Sequence, residues 1–266
     1  MDAVSIAVPT PAHAAIARDL IEAGLHVLIE KPITDSVDSA NAITDLAEQK
    51  GTVLQVGHIE RFSAAYRTLS EIIVDPLYFE SYRIAPWKER GVEVDVVLDL
   101  MIHDIDMIIG LVGSPVSKVD AVGTPVLGQR IDLANARISF ESGCIANVTA
   151  SRVSYKTERR MRVFARNHYL SCDLGERRIS GYRLRGDPMV DGLAAIAAEK
   201  YEIPQEDSLG NEIESFLECI VSGKKPMVDG RAGCEALRVA SLINESINEQ
   251  LQMVQERFGA VAPPRG

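Results

Sequence analysis

The sequence has few of the residues that mark secreted, metal-binding or nucleic-acid-binding proteins. Its four cysteines form no CxxC pair and no metal-ligand spacing. The formal net charge of −10 is unfavourable for binding nucleic acid. There is no signal peptide, and no apolar run reaches membrane-spanning length without charged residues. These absences predict reduced, buried thiols, a cytoplasmic location, and a protein that uses no metal, nucleic acid or membrane.

A glycine-rich phosphate loop is also missing, because none of the 19 glycines belongs to a GxGxxG motif. What is present is an ordinary globular composition, with 46% hydrophobic and 25% charged residues. A chain of 266 residues is long enough for one large domain or two ordinary ones.

Short apolar strands alternate with helices in the first 75 residues. The pattern predicts strands over 4–8, 26–29 and 52–56, and helices over 12–23, 36–50 and 60–73. Gly24 and Gly51 are placed to end the first two helices, and Asp35 or Ser36 to cap the second. Such alternation indicates parallel βαβ units, as in a Rossmann domain.

The pattern changes after Pro76. Predicted strands follow one another with short turns between them, over 77–85, 118–126, 133–140, 144–153, 159–166, 169–173 and 178–184. Amphipathic helices are predicted over 208–221 and 231–250. We therefore expect an α/β plus α+β protein. Residues 1–75 form an incomplete Rossmann region with a parallel sheet. Residues 76–266 form a substrate and oligomerisation domain, a mainly antiparallel open sheet with helices on one face.

The Rossmann pattern opens on a strand with only two or three residues before it. A βαβ unit takes about 30 residues, so roughly 60 residues with two strands and the phosphate loop are expected to be missing. Two interpretations stay open, a truncated form of an active enzyme and a cofactor-free binding or assembly protein. In either case we expect weak binding of a dinucleotide by these 266 residues alone.

A polar stripe interrupts the apolar run over residues 92–112. At 100° per residue, Asp95, Asp99, His103 and Asp106 fall within an arc of roughly 80°, with Asp104 opposite. A helix that is apolar nearly all round is buried, so its carboxylates need partners or a wet cleft. Asp99 and His103 can touch at i and i+4, which would make His103 a general base. A structural Asp–His pair is the alternative.

Four segments together resemble the glucose–fructose oxidoreductase/inositol dehydrogenase (Gfo/Idh/MocA) family. They are VPTPAH at 8–13, EKP at 30–32, GHIERF at 57–62 and DxxxHxxD at 99–106. The resemblance implies hydride transfer between NAD or NADP and a ring carbon of a sugar or cyclitol. The form of the DxxxHxxD helix looks most like that of members acting on nucleotide-linked amino sugars, which suggests a UDP-N-acetylhexosamine.

The resemblance also implies roles for individual residues. The catalytic group would be Lys31, Asp99 and His103. Cofactor contacts would come from Pro9, Thr10, His13, Glu30, Lys31 and Pro32, and substrate contacts from Arg61, Trp87 and Asp106. An uncovered sheet face would favour a homo-oligomer.

Several of these residues have a plainer interpretation. His13 is also placed to sit in the first turn of its helix, Arg61 to pair with Glu60 or Glu71 at the surface, and Trp87, on the loop at 87–90, to act as a packing anchor. A run of basic residues could bind a diphosphate or could form the solvated face of a strand. It comprises Arg152, Lys156, Arg159, Arg160 and Arg162.

Overall fold

A parallel sheet of three strands forms the first part of the molecule. The computed structural model of the chain describes residues 1–88 and 93–258. The strands are β1 (Ala3–Ile6), β2 (His26–Glu30) and β3 (Leu54–Gly57), in that order across the sheet. The helices that follow them are α1 (His13–Glu22), α2 (Val37–Lys50) and α3 (Ala64–Ile72). The alternation in the sequence predicted this arrangement.

Local capping explains where these helices begin and end. The Ser36 hydroxyl accepts a hydrogen bond from the Ser39 N–H and starts α2, and Gly51 ends it at φ +68°. The predicted helix over 60–73 is two elements, a 3-10 turn (Ile59–Phe62) and α3. They are separated because Ser63 adopts an extended backbone and caps α3 with its side chain.

The second sheet has eight strands in the order β11-β10-β9-β8-β4-β7-β6-β5. They are β4 (Pro76–Ile84), β5 (Val116–Thr124), β6 (Leu133–Phe140), β7 (Ile145–Ser151), β8 (Glu158–Ala165), β9 (His168–Asp173), β10 (Arg178–Leu184) and β11 (Ile196–Glu202). Only β4 and β7 pair in parallel, so the expectation of a mainly antiparallel sheet is confirmed. Strand β11 was not predicted.

Four further helices complete the described part of the chain, α4 (Ile102–Val112), α5 (Pro188–Asp191), α6 (Ser208–Ser222) and α7 (Gly230–Phe258). Helices α4 and α7 pack on one face of the large sheet. Val228, Cys234 and Leu237 belong to the core of the small parallel sheet, and the Val56 N–H donates to the Val228 carbonyl at 2.9 Å. The segment around the start of α7 therefore joins the two sheets.

The helix that carries the polar stripe is not a uniform α-helix. Residues Val97–Met101 form a π-helical turn that leads into α4. A π turn holds more residues than an α turn, so residues before Ile102 are rotated relative to those after it. The 100° spacing is therefore wrong for this segment, and the predicted single stripe is divided. Val92, where the apolar run begins, lies outside the described residues.

The four cysteines are buried and free, as predicted. Within residues 1–88 and 93–258, no helix is long and apolar enough to cross a membrane.

A buried ion pair fixes the start of the π turn. The Asp132 carboxylate, fully buried, accepts hydrogen bonds from the N–H groups of Val126, Leu127 and Gly128 and from Arg152 at 2.8 Å. Arg152 donates in turn to the Val94 carbonyl. One carboxylate thus orders the β5–β6 loop and, through Arg152, the residues just before the π turn.

Asp132→Ala is expected to lower the free energy of unfolding by about 3–5 kcal/mol, because it removes a buried carboxylate that pairs with Arg152 and accepts from three N–H groups of the β5–β6 loop. Asp120→Ala is the matched control, since Asp120 is exposed on β5 and pairs with the exposed Lys118. Its cost should stay within about 1 kcal/mol. Urea denaturation measures both, and equal costs would contradict the role of Asp132.

Candidate active site

The carboxyl ends of β1 and β2 form one edge of the parallel sheet, where ligands of α/β proteins bind. Pro9 and Thr10 follow β1, while Glu30, Lys31 and Pro32 end and follow β2, with a cis peptide bond between Lys31 and Pro32. The sequence predicted all five at this edge.

His13 joins the two loops at this edge. Its ring nitrogens lie 3.0 Å from the Pro32 carbonyl oxygen and 2.9 Å from that of Val8, and the side chain is buried as the first residue of α1. Both nitrogens are therefore occupied by backbone groups. These contacts favour the plainer interpretation of His13, a residue that positions the loops.

Lys31 reaches from the edge of the small sheet to the π turn. Its Nζ donates a hydrogen bond to the Asp99 carbonyl oxygen at 2.8 Å. Burial lowers the pKa of Lys31 below its usual value, and the Asp99 carboxylate opposes that shift only in part. The ammonium is thus held at a fixed position next to the helix that carries His103.

His103 lies beside this ammonium with an unused polar atom. Its Nδ1 is buried and has no hydrogen-bond partner among the described residues. Burial, together with the cations of Lys31 and Arg83, holds the pKa of His103 well below its usual value. The imidazole is therefore neutral at neutral pH and able to accept a proton.

The expectation that Asp99 orients His103 is corrected by the contacts. No hydrogen bond between their side chains is found among the described residues, because the π turn changes the angle between them. Asp95 is also drawn away, since its Oδ1 accepts from the Ile131 N–H at 3.0 Å. Asp99 acts on the site through its carbonyl and its charge, both directed at Lys31.

Glu60 is the carboxylate that faces His103, and sequence reasoning missed it. Its Oε1 lies 3.9 Å from His103 Nδ1 and accepts from Arg83 at 2.7 Å. Arg83 also forms two hydrogen bonds with Asp104, of 2.9 and 3.1 Å. One feature of the sequence could have indicated such a carboxylate. Arg83 is a basic residue at an inward-facing position of β4, on the same face as the buried Phe79 and Ser81.

Arg61 and Asp106 were expected to contact substrate, but the structure buries them against each other. Arg61 Nε lies 3.4 Å from Asp106 Oδ2, and its guanidinium hydrogen-bonds Tyr66. A Cβ on Gly110 would lie 1.2 Å from Arg61 Nη1, so the arginine crosses α4 only because glycine stands there. The alternative of a surface pair with Glu60 or Glu71 is also wrong.

Trp87 packs against Arg152, whose guanidinium carbon lies 5.8 Å from the ring centroid. This contact is the kind expected if Trp87 acts as a packing anchor, which was one of its two interpretations. The other interpretation, a role of Trp87 in substrate binding, stays a prediction. The rest of that loop, Glu89 and Arg90, lies outside the described residues.

The residues at this edge fit the nicotinamide end of a dinucleotide. They combine loops at the carboxyl ends of parallel strands with a buried imidazole nitrogen that lacks a partner. Pro9, Thr10, Glu30 and Pro32 would hold that end, with Lys31 and His103 beside it. In the described ranges, no group of three or more His, Cys, Asp and Glu side chains could hold a metal ion.

Comparison with known proteins identifies two family models along the chain. Residues 1–58 match the oxidoreductase family with an NAD-binding Rossmann fold (GFO_IDH_MocA), and residues 73–171 match the GFO/IDH/MocA C-terminal domain.

Relatives extend the match over nearly the whole chain. UDP-N-acetylglucosamine 3-dehydrogenase of Acidithiobacillus ferrooxidans is 37% identical over 95% of this chain and 80% of that protein. Its solved structure matches with a TM-score of 0.89 over the same shares of the two chains. The scyllo-inositol 2-dehydrogenase (NAD(+)) of Bacillus subtilis is 28% identical over 86% of this chain and 70% of that one. The chain belongs to the Gfo/Idh/MocA family of NAD-binding oxidoreductases.

Proposed function

We propose that this protein transfers a hydride between NAD(P) and a ring carbon of a sugar, with a UDP-N-acetylhexosamine as substrate. The observation that carries the proposal is the neutral His103, whose buried Nδ1 makes no hydrogen bond within the described residues, beside the anchored ammonium of Lys31. The similarity to UDP-N-acetylglucosamine 3-dehydrogenase supports the choice of sugar. A cytoplasmic location is part of the proposal and is supported by the four free thiols.

Oxidation of a secondary alcohol requires the hydroxyl proton to leave as the hydride leaves the carbon. NAD(P), when bound, supplies the two-electron oxidant. His103 accepts the proton, since burial and neighbouring cations keep its imidazole neutral. Lys31 donates to the Asp99 carbonyl and directs another N–H at the reacting oxygen, which stabilises negative charge there as the C–O bond becomes a carbonyl.

The test of this function is reduction of NAD⁺ or NADP⁺ by the 266-residue chain at millimolar cofactor, followed by absorbance. The sugars to compare are UDP-N-acetylglucosamine, free N-acetylglucosamine and myo-inositol. We expect the nucleotide sugar to be oxidised fastest. No oxidation of any of the three would reject the proposal.

His103→Ala should lower turnover about 10²-fold or more and leave the affinity for NAD(P) nearly unchanged, as expected for loss of a general base. Asp99→Asn should cost less, because the Asp99 carbonyl still accepts the hydrogen bond from Lys31. Steady-state kinetics with both variants checks this. If the two variants lose equal activity and equal stability, the residues have a structural role.

Lys31→Met should raise the pKa of His103, because removing a nearby cation favours the charged imidazolium. As the pH is lowered, the variant would therefore lose activity that needs neutral His103 at a higher pH than the wild-type protein does. NMR titration of the histidines measures the change, with the signal assigned by His103→Gln. Lys50→Met, an exposed change in the last turn of α2, is the control. An unchanged His103 titration would contradict the proximity of the two groups.

We also propose that the protein self-associates through the sheet face that α4 and α7 leave uncovered. Four aromatic rings cross this face on neighbouring strands, Tyr78, Phe164, Tyr169 and Tyr182, with centroid distances of 5.6, 5.0 and 6.4 Å. Tyr182 is 57% exposed. A continuous apolar row of this kind is typical of a surface that pairs with a second copy.

Tyr182→Lys should shift the protein towards monomer, because it places a charge within the row. Sedimentation velocity measures the change, with Tyr155→Lys as the control because Tyr155 is fully exposed outside the row. A wild-type chain that is monomeric at all concentrations would contradict this interface.

A further inference from the structure

The structure separates the members of the basic run over residues 152–162. Arg152 pairs with Asp132, Lys156 and Arg160 pair with Glu158, and Arg162 pairs with Glu80. Arg159 is the member without an ion-pair or hydrogen-bond partner for its side chain among the described residues. The run is therefore not one basic patch.

Strand geometry places the exposed Arg159 at the end of β8 on the face of the large sheet that the helices cover. Side chains alternate between the two faces of a strand, and Met161 and Val163 of β8 are buried on the helix-covered face. Arg159 shares their face. Arg160 and Arg162 lie on the opposite face, over the rings of Tyr82 and Tyr169. Arg159 also acts electrostatically on His103, whose pKa it helps to lower.

A cavity of about 180 Å³ lies beside Arg159. Its walls include Arg177 from the β9–β10 turn, Glu60, Glu206 and the residues that start α3. Both carboxylates already have cationic partners, since Glu60 pairs with Arg83 and Glu206 with Arg67. Arg177, like Arg159, has no side-chain partner among the described residues. The cavity therefore carries two solvent-exposed guanidinium groups that have no side-chain partner in the described part of a chain whose net charge is −10.

We propose that this cavity binds the diphosphate of a nucleotide-linked sugar, with Arg159 and Arg177 as its ligands. Guanidinium groups match phosphate oxygens in charge and geometry, and the first turn of a helix adds partial positive charge. Glu60 lines the cavity and lies 3.9 Å from His103, so one side chain separates the diphosphate from the proton acceptor. A sugar ring next to the diphosphate would then lie against His103. This inference rests on the proposed function and narrows its substrate class.

The probe is UDP, titrated calorimetrically into the 266-residue chain without cofactor. We expect Arg159→Gln and Arg177→Gln each to raise the Kd for UDP about 10-fold, as loss of a charge-assisted hydrogen bond does. Arg160→Gln should leave the Kd for UDP unchanged, because Arg160 lies on the opposite face of the sheet from Arg159 and the cavity. Affinity should also fall as salt rises. Circular dichroism of each variant controls for folding.

Two results would overturn the inference. One is a wild-type chain that does not bind UDP, and the other is that the Arg159→Gln and Arg177→Gln variants bind UDP as tightly as the wild-type chain does. The proposed function fails separately. Arginine-dependent binding of UDP without oxidation of any sugar would support the cavity and reject the function. Oxidation of free N-acetylglucosamine by a chain that does not bind UDP would reject both the cavity and the nucleotide-linked substrate, and would support hydride transfer from a sugar ring alone.

Discussion

The hydrogen bond from Lys31 Nζ to the Asp99 carbonyl is the contact on which the site depends. It joins the carboxyl edge of the small parallel sheet to the π turn before α4, two segments that are 68 residues apart in sequence. Because the π turn is itself fixed by Asp132 and Arg152, the ammonium has a rigid partner. The carboxyl edge of the small sheet is thereby held against the helix that carries His103.

The charges around His103 are arranged to keep it neutral without leaving buried cations unpaired. Arg83 lies between Asp104 and Glu60, and Lys31 is balanced in part by Asp99. Arg83 and Lys31 therefore each have a nearby acid, while among the described residues the imidazole faces the carboxylate of Glu60 at 3.9 Å. A base beside cations has a low pKa, so the imidazole of His103 carries no proton at neutral pH and is open to accept one.

Much of this could be predicted from the sequence, where local rules decide the outcome. Ser36, Gly24 and Gly51 bound their helices as capping chemistry requires, and Lys31 follows a parallel strand. The partner of His103 could not be predicted, because a π turn gives no periodic signal and changes the phase of the stripe. Strand β11 was missed because its sequence over Ile196–Glu202, IAAEKYE, does not alternate apolar and polar residues, although the exposure of its side chains alternates.

The most direct measurement is a crystal structure of the protein with NAD(P) and the sugar substrate bound, the sugar still carrying its unoxidised hydroxyl groups. The account predicts one ring hydroxyl oxygen within about 3.2 Å of both an imidazole nitrogen of His103 and Lys31 Nζ. A sugar whose hydroxyls all lie away from His103, or one held by Arg61 and Asp106 instead, would contradict it.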